Sequence, residues 1–243
     1  YNVCQHVSEE CLQEAHDSPL AWDVIQRDVP SDGDMIALQE LITFVRNNPQ
    51  SSLANFEGTQ QRLDVINLID YLLVNIYGVT GDWPHNNWIA ARERSANGRF
   101  RFYVWDAEGA FGGFNGNVRT NQFVPGTTGS VVTNSPTSDS LDSTARILHT
   151  LLRGSPEYRL MFADRVQKHF FNQGALTDTA ILTQKNSLRG QMAPFISGFN
   201  DSRFNNWING QGNTTRFTTS NGTPGGSIVN NPSRRRVLLD GYT

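Results

Sequence analysis

Residues 81–106 read GDWPHNNWIAARERSANGRFRFYVWD, and this stretch constrains the fold more than any other. NWIAARER and GRFRFYVW both alternate in the period of two expected of strands, and SANG between them is a turn signal. The stretch therefore predicts a β-hairpin. With Ser95 to Gly98 as the loop, Arg94 faces Arg99 and Asn87 faces Asp106. Ile89, Ala91, Phe102 and Val104 then share the face that packs on helices. With Asn97-Gly98 alone as the turn, the partner of Asn87 is Glu108. Either register sets an amide beside a carboxylate at the open end, and Asp82 lies in the loop that enters the hairpin. Asp82, His85, Asn86, Asn87, Asp106 and Glu108 thus converge from both ends of the stretch.

That grouping suits a particular chemistry. Mg²⁺ takes a few hard oxygen ligands and leaves positions for water and substrate phosphates. An Asn amide oxygen with one or two carboxylates is such a partial cage, and Mn²⁺ accepts the same donors. A second acid beside an attacking hydroxyl can orient it and accept its proton. The plainer reading is that Asp82 caps a turn while Asn86 and Asn87 serve loop hydrogen bonds.

The remainder of the chain reads as mainly helical. SEECLQEAH (8–16) opens with Ser and acids, as short helices do. WDVIQRD (22–28) is a brief strand ended by VPSDGD. After Asp34, the positions Ile36, Leu38, Leu41, Ile42 and Val45 recur at helical spacing. A further helix is expected from Thr59 through QQRLDVINLIDYLLVNIYG, apolar around most of its circumference and therefore central, with Gly78 as its stop. Residues 109–139 are rich in Gly, Asn, Thr and Ser and predict a long loop. Helices are expected over 140–153, 155–172 and 177–199, the last with Thr177 as its cap and a kink or break at Pro194. No internal repeat or linker is visible. The expected class is α+β, one mainly helical domain over 1–243 with a small sheet.

Composition excludes several functions. A net charge of −3 over 243 residues gives no bulk attraction to nucleic acid or anionic lipid. No apolar run reaches the roughly 18 residues that span a bilayer. Cys4 and Cys11 are expected to be buried or idle thiols, since the five His are too scattered to complete a zinc site. Lys168 and Lys185 are the only lysines. Scarce Lys with abundant Asn, Gly and Thr fits a secreted or cell-surface protein.

NLIDYLLVNIYGVTGDWPHNNWIAARERSANGRFRFYVWDAEGAFGG resembles the core of the CotH family of kinase-like proteins, named for a bacterial spore coat protein. The shared pattern is a helix ending near an Asp, a His-Asn pair before a strand, and a WD followed by another acid or Asn and xFG. YNVCQHVSEECLQEA with WDVIQ, and LLRGSPEYRLMFADRVQKHFFNQGALT, are similar to the segments on either side. The resemblance implies a kinase-like fold and transfer of phosphate from ATP, with Mg²⁺ (or Mn²⁺), to a Ser or Thr hydroxyl of a protein. It implies Asp82 as the catalytic acid-base residue and Asp106 as the metal-binding acid, with Glu108 assisting and His85 positioning the loop. The His-Asn dipeptide points to Asn86 for the metal or nucleotide, whereas the five-residue kinase spacing points to Asn87. Kinases also place a cation on the phosphates from an upstream β-rich lobe, and no Lys precedes the motif. The expectation is therefore a C-terminal lobe from a longer chain, with incomplete activity alone. The alternatives are a non-catalytic surface or coat-associated binding module that keeps the fold, and a hydrolase dependent on a divalent cation.

Overall fold

The computed structural model of the chain describes residues 6–107, 110, 122–123, 125, 130–134, 136 and 144–196. Cys4, Glu108, most of the expected 109–139 loop and residues 140–143 lie outside the described residues, as does everything after residue 196. Strands β1 (Trp22–Gln26), β2 (Val29–Asp32), β3 (Trp88–Glu93) and β4 (Arg101–Val104) form one antiparallel sheet in the order β2-β1-β3-β4. The sheet is thus larger than the expected hairpin. VPSD does not merely end the first strand but pairs with it, Ile25 opposite Pro30. Pro30 lacks an N–H, which an edge strand tolerates.

Seven helices are described: α1 (Glu9–His16), α2 (Ile36–Asn47), α3 (Leu53–Gln60), α4 (Val65–Gly78), α5 (Thr144–Leu152), α6 (Pro156–Phe170) and α7 (Asp178–Ile196). The Ser8 and Ser155 side chains cap α1 and α6 by accepting from the Cys11 and Tyr158 N–H groups. The α7 helix runs past Pro194, so no break falls there. The single helix expected from Thr59 to Gly78 is in fact two elements, α3 and α4. Between them the chain extends: the Phe100 N–H donates to the Arg62 carbonyl at 2.8 Å, and the Asp64 N–H donates to the Phe100 carbonyl at 2.9 Å. Those bonds use backbone groups that a continuous helix would need, and the Asp64 carboxylate restarts the helix by accepting from the Asn67 N–H. The α4 helix is as central as its composition implies, with Leu68, Ile69, Leu72, Leu73 and Ile76 all buried.

The hairpin register differs from both expected ones. Trp88 faces Val104, Ile89 faces Tyr103, Ala90 faces Phe102 and Ala91 faces Arg101. A one-residue slip exchanges the two faces of a strand. Trp88, Ala90 and Phe102 therefore pack on the helices with Phe100, while Ile89 and Ala91 join Leu12, Trp22 and Val24 beneath α1. Two causes are visible. Phe100 is drawn off to pair with Leu63, so Asn97-Gly98 does not close a tight turn. Both faces of the sheet are also covered, so the apolar pattern alone does not say which face meets the main core.

Candidate functional site

The site begins where α4 ends. Val79 adopts a left-handed conformation (φ 46°), and the Thr80 N–H reaches back to the Asn75 carbonyl, which stops the helix one turn before Asp82. Trp83 is buried, and its indole Nε1–H donates to the Tyr71 hydroxyl on α4 at 2.7 Å. Burial pushes the Tyr71 phenol well up, with the Trp83 N–H opposing, so the ring stays neutral and accepts that bond. The neighbour of Asp82 is thereby anchored in the core while Asp82 itself faces solvent. Asp82, Asn87 and Asp106 all have positive φ, at 55°, 50° and 52°. Asp and Asn are the non-glycine residues that tolerate this region best, and strained backbone of this kind clusters at functional sites.

The Asp82 carboxylate is held on both oxygens. The Asn86 amide Nδ2 donates to Oδ2 at 2.6 Å, and His85 Nε2 lies 3.1 Å from Oδ1. The Asn87 Nδ2 donates to the backbone carbonyl of Asp106 at 3.3 Å. Consecutive asparagines thus reach opposite ways, one to the loop acid and one to Asp106, two residues past β4. Asp82 and His85 keep 44% and 59% of their side-chain surface exposed, and Asp106 is exposed as well. Of the sequence-derived set, Asp82, His85, Asn86, Asn87 and Asp106 gather at the open end of β3 and β4, although the pairing that places them differs from the one expected.

The donor set is compatible with a hard divalent cation. Both asparagines spend an Nδ2 donor, which leaves their amide oxygens for a cation beside the two carboxylates. Among the described residues no group of three or more His, Cys, Asp or Glu side chains is placed to hold a metal by itself. A cation here would share its coordination with substrate phosphates and water, as Mg²⁺ commonly does.

Two polar clusters escaped the sequence reading. Asp23 is buried within β1, where it accepts from the Asp34 N–H (3.0 Å), Arg92 Nε (3.1 Å) and Arg94 Nε (2.7 Å). Desolvation pushes this carboxyl up, but the Asp34 N–H and the Arg94 and Arg92 guanidiniums together outweigh it and hold it below the usual range. Asp70 on α4 binds Arg165 through both oxygens and lies 3.0 Å from His169, which clamps α4 to α6. An acid inside the apolar run WDVIQ, matched by Arg at alternate positions of ARER, is the signal that marks the first cluster. Cys11 is a free cysteine and half-buried.

The fold is mixed helix and sheet, with acids and amides gathered at the mouth of a hairpin after a buried helix. A family model described as CotH kinase protein matches residues 7–213. The chain belongs to that family. No curated protein and no solved structure matches it. No helix among the described residues is long and apolar enough to cross a membrane.

Proposed function

We propose that this chain belongs to an atypical protein kinase that transfers phosphate from ATP to a Ser or Thr hydroxyl of a protein, with Mg²⁺ or Mn²⁺. One observation carries the reading: Asn86 holds the Asp82 carboxylate while Asn87 holds the backbone at Asp106, so one dipeptide ties together the two acids such a site requires. Asp82 is the base. Its carboxylate is exposed enough to meet an acceptor hydroxyl, and Asn86 and His85 fix its plane for accepting the proton. Asp106 and the Asn87 amide oxygen form the metal side, with Glu108 as a further acid two residues on. Asn86 then acts chiefly on the base. Mg²⁺ bound with ATP supplies charge neutralisation and orientation of the transferred phosphate.

Residues 1–243 are read as one domain equivalent to the C-terminal lobe of a kinase, in a secreted or surface-exposed protein. With no Lys before Lys168, the cation facing the phosphates is not a lysine ahead of the motif. The test is Mg²⁺-dependent ATP binding by calorimetry, together with mass-spectrometric detection of phosphate on the protein and on a Ser/Thr-rich acceptor. Binding and transfer that disappear in Asp106→Ala support the proposal. Equal transfer by wild type and Asp106→Ala overturns it. An absence of nucleotide binding by the full-length protein favours the binding module, and phosphate release without an acceptor favours the hydrolase.

A further inference from the structure

At the opposite end of the hairpin, about 16 Å along β3 from Asn87, lies a cavity of about 240 Å³ lined by Glu40, Gln61, Arg62, Arg92, Gly98 and Phe100, among others. Two guanidiniums border it, and each is held in place by other contacts. Arg62 stacks over the Phe44 ring at 4.3 Å and donates one Nη1 bond to the Gly58 carbonyl at 2.7 Å. Arg92 lies 5.8 Å from the Phe100 ring centroid and spends its Nε on Asp23 at 3.1 Å. The backbone is fixed too, since the Phe100 N–H binds the Arg62 carbonyl. A side chain at Gly98 would fall 1.9 Å from the Glu93 carbonyl, so only glycine lets the turn close against the cavity wall.

We infer that this cavity binds a phosphate dianion, as a monoester or as the free anion. A guanidinium carries five N–H donors in a planar fork, and each of these two commits one to the protein, leaving most of both forks for a ligand. A carboxylate is satisfied by a single fork, whereas the oxygens of a phosphate accept from two. Glu40 is the one acid among the described residues that line the cavity. Two guanidiniums outnumber it, and a dianion gains more from that excess than a monoanion does. The source is a phosphorylated side chain of a protein partner or free phosphate, and neither requires the acid site at the other end of the strand.

The experiment is calorimetry on the whole chain, without nucleotide, against a phosphoserine peptide, its unphosphorylated form and inorganic phosphate. Amide NMR shifts at Gly98 and Phe100 locate the binding. The phosphopeptide is expected to bind and its unphosphorylated form not to, with inorganic phosphate competing. Arg62→Gln is expected to weaken binding about tenfold, as loss of charge-assisted hydrogen bonds does. Glu40→Gln tightens it severalfold, and Asp82→Ala leaves it unchanged. Binding of inorganic phosphate alone supports the site and assigns it to the free anion. Equal affinity for both peptides, no phosphate binding, or an Arg62→Gln protein that keeps its fold and binds like wild type overturns the proposal.

Discussion

Asp23 and Asp82 are both aspartates held by close hydrogen bonds beside the same sheet, and they are built for opposite purposes. Asp23 keeps 2% of its side-chain surface exposed and accepts from a backbone N–H and two guanidiniums. Asp82 keeps 44% exposed and is held by a neutral amide and a histidine, on a backbone with φ 55°. An acid saturated by arginines has little capacity left for a proton or a cation, and its removal leaves Arg92 without its ion pair and Arg94 with Asp34 alone. An acid restrained by an amide retains lone pairs that face solvent. Placement alone does not separate a structural carboxylate from a chemical one; the identity of its partners does.

The sharpest break of that comparison is activity against stability. Asp82→Ala and Asp106→Ala are each expected to lower phosphoryl transfer by about a hundredfold or more, with thermal unfolding within a few degrees of wild type. A transfer rate within threefold of wild type would remove both residues from the proposed site. Asp23→Ala should do the reverse. It leaves Arg92 and Arg94 without their buried partner and costs about 3 kcal/mol of stability, readable as a lower urea midpoint.

Acid separates the regions as well. His149 is buried, with its Nδ1 2.7 Å from the Tyr158 hydroxyl, and burial with the nearby charge of Arg153 pushes its pKa down to about 3. A histidine whose folded pKa lies below its unfolded value, about 6.5, contributes full stability above pH 6.5. That contribution is lost as pH falls from there toward about 3. Asp23 has the lowered pKa of a paired carboxylate, so its contribution is present above roughly pH 4 and fades below it. Urea midpoints recorded from pH 7 to pH 3 should fall from about pH 6.5 downward, and the acid slope below pH 4 should flatten in Asp23→Ala.

Smaller effects test the amide tether. Asn86→Ala frees one oxygen of Asp82 and is expected to reduce transfer about tenfold, with little change in metal affinity. Asn87→Ala should shift the dependence on Mg²⁺ concentration, because its carbonyl partner belongs to Asp106. The same Mg²⁺ dependence in both variants would show that the two asparagines do not divide the roles. His85→Ala removes only an exposed contact to Asp82 and should change turnover less than threefold.

Much of this was legible in the chain because it was written in local chemistry. The α4 helix shows in an unbroken apolar sequence, α1 and α6 in their Ser caps, and the hairpin in two alternating runs about a turn. The gathering of Asp82, Asn86, Asn87 and Asp106 was legible because a hairpin brings the residues at its two ends together. The register was not, because Trp88, Ala90, Ile89 and Ala91 are buried on both faces and either choice satisfies the pattern. The break between α3 and α4 was also hidden, since it depends on Phe100 pairing with Leu63 across the sequence.

By itself the sequence determined a helical α+β chain with one hairpin, and it determined which polar residues bound that hairpin, since period and turn chemistry act over a few neighbours. Tertiary structure alone decided which face of β3 meets the helices, and it gave Asp23 its two arginines. It sent Asn87 to Asp106. Those outcomes depend on side chains distant in the chain competing for the same backbone groups and buried volume, and no local pattern records who wins.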